Sequence, residues 1–146
     1  MYPKETYTIE QIAAMTRLST RTIRNYISMG LLDGEKIDGV WQFTPEQFGT
    51  FLGQEMVGQS IKAKSNAMIY DFLLQEKKSA CSSCAVIDIP VTDYVEEPQL
   101  REALMDIVNS IGLPCSYHYD AKTSTARLIL SGPLAQSRRF YTDFSD

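Results

Sequence analysis

The sequence predicts an α+β protein: a helical N-terminal unit with a hairpin, a linking helix, and a small β-α-β-β domain. Three observations carry this. Two short amphipathic helices, each opened by a capping residue, precede an Asp-Gly turn between apolar runs. A longer helical pattern follows near residue 60. Apolar runs of strand length then flank a stretch with apolar residues at helical spacing. The expected divisions are residues 1–58, 59–80 and 81–146.

The elements follow in order. Thr8 to Met15 reads as a helix with Thr8 as its cap and Gln11 completing a capping box; Ile12, Ala13 and Met15 turn inward. Ser19 is the N-cap of a second helix that Gly30 closes. Ile23 and Ile27 lie four apart and mark its buried face. At roughly 100° per residue, Arg21 and Asn25 fall nearly opposite Ile23, with Arg24, Ser28 and Thr22 at the flanks. Asp38-Gly39 within Glu35 to Phe43 is a hairpin turn. Thr44, Pro45 and Gln47 open a third helix, whose apolar face is Phe48, Phe51 and Leu52. Gly49 and Gly53 permit close backbone approach at some cost in helix stability. Ser60 to Lys78 is expected to be a longer helix, and Glu76 to Cys84 a linker. Cys84 to Val91 is expected as a strand, Glu97-Pro98 as the start of a helix, and Gly112 as its stop. "CSYHYD" and "TARLIL" are the last two strands. The tail "QSRRFY" is expected to pack on the sheet.

The chain has 146 residues, a net charge of −4 and a pI near 5.0. That balance excludes a generally basic nucleic-acid coat, while leaving room for a local basic face. Residues 81–146 hold nine acids and five bases, whereas Arg17, Arg21 and Arg24 cluster early. No apolar run approaches the length of a bilayer span and no secretory pattern opens the chain, so a cytoplasmic protein without a membrane is expected. Three cysteines suit a reducing compartment better than a disulfide framework.

Helix, turn, helix and hairpin wing make the winged helix-turn-helix layout. The stretch "YTIEQIAAMTRLSTRTIRNYISMGLL" resembles the N-terminal region of MerR-family transcription regulators over roughly residues 7–48. The resemblance lies in the Tyr-Thr-Ile opening, the Ser-x-Arg-Thr-Ile-Arg run, Tyr26 and the Gly-Leu-Leu exit. It implies a DNA-binding transcription regulator with the second helix in the major groove and the hairpin on the backbone. Arg21, Thr22, Arg24 and Tyr26 match the family's DNA-facing run. On chemical grounds, an exposed arginine can bind phosphate or grip guanine bidentately, and asparagine such as Asn25 can read adenine. Ser19 starts a helix whose free N–H groups suit a phosphate. Asn25 stands where the family often has an aromatic residue. The wing carries "VWQF" where the family usually has an arginine, leaving Lys36 as its one base beside Trp41. Weaker DNA binding than the family norm is therefore expected.

The expected partner is double-stranded DNA, read by a homodimer across half-sites about 34 Å apart. The long helix and the edge of the small sheet are the expected dimer surfaces. The C-terminal domain would dimerise, sense a small-molecule effector or bind a protein. Two other readings stay open. One is a protein-interaction adaptor on the same scaffold, favoured by the acidic balance. The other is a thiol or zinc sensor: Cys81, Cys84, Cys115 and His118 have the residue types of a Cys₃His site, although Cys115 and His118, three apart on a strand, point to opposite faces. No catalytic constellation, cofactor motif or metal set emerges.

Overall fold

The computed structural model describes residues 6–76, 78–91 and 96–145, which form a mixed α+β fold with six helices and two small sheets. Helix α1 (Ile9–Thr16) opens with the capping box that the spacing predicts: Thr8 Oγ1 accepts from Gln11 N, and Gln11 Oε1 accepts from Thr8 N. Arg17 ends it in the left-handed region. Helix α2 (Thr20–Ser28) is capped by Ser19, whose Oγ accepts from Thr22 N at 3.0 Å. Gly30 (φ 79°) reverses the chain, and Leu31 N donates back to Tyr26 O.

Strands β1 (Glu35–Ile37) and β2 (Val40–Gln42) form a hairpin. Both turn residues, Asp38 (φ 52°) and Gly39 (φ 80°), take positive φ, the signature of the tight turn that suits twisted strands. Tyr7 and Phe43 exchange two backbone hydrogen bonds, which fastens the hairpin to the entry of α1. Helix α3 (Pro45–Leu52) starts at the Thr44–Gln47 capping box and buries Phe48 and Phe51 completely.

Helix α4 (Glu55–Leu74) differs from expectation at both ends. It begins five residues before Ser60, because burial of Val57 and Ile61 overrides the weak propensity of Gly58. It stops before Lys78 because nothing described buries Leu73 or Leu74. Strand β3 (Ser82–Pro90) starts inside the stretch expected as linker. Helix α5 (Glu96–Ile111), strand β4 (Cys115–Asp120) and strand β5 (Thr125–Pro133) follow. Gly112 stops α5 with φ 74° and a bond from its N–H to Val108 O. The tail forms a helix, α6 (Leu134–Ser145), that the sequence pattern did not announce; Phe140 and Ser137 are buried, Arg138 and Arg139 exposed.

The three-stranded sheet has the order β3-β5-β4, antiparallel at both junctions, so β5 inserts between two strands that run the same way. One face presents Ala126, Leu128 and Leu130 of β5 with Cys115 and Tyr117 of β4, all buried. Helices α1, α5 and α6 meet that face: Cys115 Sγ donates to the Ala14 carbonyl and approaches Met15 Sδ, Tyr117 meets Glu97, and Ser137 meets Ser83. Helix α4 lies on the other face, with Ser65 hydrogen-bonded to Ser116. A single cluster of buried side chains therefore runs from Tyr7 through Phe48 and Leu104 to Phe140.

A charged group sits inside this junction. Arg101 and Glu97, 4% and 7% exposed, pair at 3.0 Å one turn apart on α5. Arg101 also donates to Pro45 O and lies over the Phe48 ring, while Tyr117 Oη donates to Glu97 at 2.6 Å. Burial, and then the carboxylate it serves, push the Tyr117 phenol well above its ordinary value.

Candidate nucleic-acid interface

Helix α2 has two chemically distinct sides. Ile23 and Tyr26 are buried, and Tyr26 is held twice: its ring meets Phe51 edge-on and its hydroxyl bonds Ser60 Oγ at 2.8 Å. Arg21, Arg24, Asn25 and Ser28 are exposed on the opposite side. Arg21 and Arg24 have no ion pair or hydrogen bond among the described residues. Three apart on a helix, they are neighbours, so their guanidinium groups project from one strip of surface.

The hairpin lies beside this strip. Arg24 lines a small cleft of about 150 Å³ with Ile9, Glu10, Gly39, Val40 and Trp41. Trp41 is half-buried and stacks on Phe43, with rings 6.1 Å apart and 10° from parallel. Lys36 pairs with Trp41 across the hairpin and sets its ammonium 5.8 Å from the indole centre. Arg24 and Trp41 thus share one cleft, and Lys36 stands over the indole ring.

The eight residues singled out from the sequence divide into groups. Arg21, Arg24, Asn25 and Lys36 are exposed. Ser19 and Thr22 share a hydroxyl contact at the start of α2, where the Ser19 cap takes the Thr22 N–H and the Ser19 carbonyl takes that of Ile23. Trp41 is a brace beneath Lys36. Tyr26 faces the interior, where it ties α2 to α4. Two features escaped the sequence reading. Glu10 shares the cleft with Arg24, so a carboxylate stands beside the second arginine. Ile37 and Val40, either side of the hairpin turn, are 48% and 49% exposed, so the hairpin tip is apolar. A two-stranded hairpin without a covering layer exposes whatever flanks its turn, and that was readable from "IDGV".

The sensor residues do not converge. Cys115 is buried with its thiol pushed up to about 12, mainly by burial. Cys84, on β3, and His118, on β4, lie two strands apart, and Cys81 is exposed. No group of three or more metal-ligating side chains occurs among the described residues. Two larger clefts border α4. One, of about 430 Å³, lies against the α3–α4 turn; the other, of about 340 Å³, runs between α4 and the open sheet face. Lys62, His118 and Asp120 line both. Among the described residues, no helix is long and apolar enough to cross a membrane. No family model, curated protein or solved structure matches the chain.

Proposed function

We propose that this protein is a sequence-specific DNA-binding transcription regulator of the MerR type, with α1 and α2 as a helix-turn-helix and the β1–β2 hairpin as its wing. The observation that carries this reading is a pair of exposed arginines on α2 with no partner among the described residues, backed by a packed apolar face. An exposed guanidinium on a helix whose other face is packed, with no partner among the described residues, is suited to a phosphate or a guanine edge. The lone wing base and the Glu10 carboxylate predict modest affinity. In a homodimer the four α2 arginines and two Lys36 side chains could release counterions with a log–log salt slope of at most about −5. Anisotropy titrations of the full chain against a duplex pool enriched by binding, repeated across salt concentrations, test this. Specific binding that weakens with salt is expected; absence of binding at low salt overturns it.

A second reading is favoured by the exposed Ile37 and Val40. An apolar tip on an acidic chain suits an adaptor that presents its hairpin to another protein. The same titration separates the two, since an adaptor shows no salt-dependent DNA binding.

A further inference from the structure

We propose that the outer edge of β3 pairs with the same strand of a second copy, antiparallel, about a two-fold axis at Val86. This interface is independent of whether α2 reads DNA.

The backbone bonds at the strand ends fix which groups face outward. Leu134 N donates to Cys81 O at 2.9 Å, and Val91 N to Ser124 O at 2.8 Å. Both follow the register that pairs Ser82 with Pro133 and Pro90 with Thr125. In an antiparallel ladder alternate residues bond to a given neighbour. Odd-numbered β3 residues therefore bond to β5, and the N–H and C=O groups of Ser82, Cys84, Val86 and Asp88 point away from it.

The two edges of the sheet are treated differently. Cys115, Ser116 and Tyr117 of β4 are at most 1% exposed. Every residue of β3 keeps solvent exposure, and no described residue bonds its outer side. The usual devices against pairing are missing: β3 has no lysine, its register runs unbroken, and its proline is at the end. Its one charge, Asp88, is held by two hydrogen bonds from Arg127 on the neighbouring strand.

A second copy fits this edge better than an unrelated strand because β3 is compatible with itself. Val86 is the midpoint of the nine residues. An axis there sets Val86 beside its own copy, Ala85 across from Ile87, and Cys84 across from Asp88. No like charges meet. Moving the axis to Asp88 would oppose two carboxylates, and moving it to Cys84 would leave Ile87 to Pro90 unpaired. The side chains agree with the backbone. Val86, 49% exposed, lines the 340 Å³ groove with Ile69 and Ile129. Leu73, one turn past Ile69, is 68% exposed. Joining two β3 edges brings two such apolar strips onto one face of a six-stranded sheet.

Sedimentation equilibrium of the full chain from micromolar to millimolar should reach twice the 16.5 kDa of one chain. Amide exchange at Cys84, Val86 and Asp88 should slow by at least about tenfold as the dimer forms. Val86→Pro should stay folded and become monomeric, because the N–H it removes lies outside the β5 ladder. Val86→Lys keeps that N–H but sets like charges side by side, and should weaken the dimer as well. A monomer throughout, or a dimer whose three amides exchange unprotected, overturns the proposal. So does capture of an unrelated strand in place of self-pairing. If Val86→Pro fails to fold, the lysine variant and the exchange pattern decide.

Discussion

Arg101→Met would leave the Glu97 carboxylate buried with the Tyr117 hydroxyl as its remaining partner. Removing one member of a buried pair costs about 3–5 kcal/mol, because the other charge stays in a poor solvent. Retention of the Tyr117 bond places the loss at about 3 kcal/mol. Glu97→Met strands the guanidinium against Pro45 O and the Phe48 ring, with a similar cost. The double variant removes both charges and leaves Tyr117 without an acceptor, which costs about 1–3 kcal/mol. The double variant should thus be no less stable than either single one, with a coupling of roughly 3–5 kcal/mol. Urea titrations followed by Trp41 fluorescence and by far-ultraviolet circular dichroism provide the assay. Trp41 is the single tryptophan and reports on the N-terminal hairpin, whereas dichroism reports on every element. The two midpoints should coincide in the wild type, as expected for halves joined through one core. Additive losses in the double variant would refute the argument, as would a Trp41 transition unmoved by Arg101→Met.

Other expectations follow from the same geometry. Arg21→Ala and Arg24→Ala should each flatten the salt dependence of DNA binding by up to about 0.9 per arginine removed from a phosphate, or twice that in a dimer; thermal melts should move by no more than about 0.5 kcal/mol. His118 is held below its ordinary value of 6.5, first by burial and then by Lys62, so the unfolded chain takes up the proton more readily. Stability should therefore fall as pH drops below about 6.5 and level off once the folded histidine titrates; His118→Gln should reduce that slope in pH-dependent urea melts. Gly39→Val places a branched side chain at φ 80° and should destabilise the hairpin by about 1–2 kcal/mol, seen as a shift in the Trp41 transition. In native protein a thiol reagent near pH 8 should modify the exposed Cys81 readily and leave Cys115 untouched until the chain unfolds.

How far the chain was readable depended on the range of the interactions involved. Local chemistry was legible: the Thr8–Gln11 and Thr44–Gln47 boxes, the Ser19 cap, the Asp38-Gly39 turn and the Gly112 stop all act within four residues. The outward side of α2 was legible for the same reason, since Ile23 fixes the phase. Tertiary choices were not. Helix α4 begins early because Val57 finds a core that its own sequence does not contain, and α6 forms because Phe140 has a sheet to cover. Tyr26 is the residue that the resemblance places toward DNA and the structure turns inward: it lies three residues from Ile23 on the packed side of α2, where Phe51 and Ser60, far along the chain, hold it. Glu97 and Arg101 stand one turn apart on α5, a spacing that by itself does not separate a surface pair from a buried one. Their burial comes from Pro45 and Phe48, which no spacing rule connects to them.

The bond between the Tyr26 hydroxyl and Ser60 has a mechanical consequence. It joins the helix bearing the exposed arginines to the first half of a twenty-residue rod whose middle rests on the sheet. Sliding or rolling that rod over β4 would drag the tyrosine with it, or break a contact worth about 1 kcal/mol. Any displacement of the rod relative to the sheet would therefore reach α2 first through this one side-chain contact.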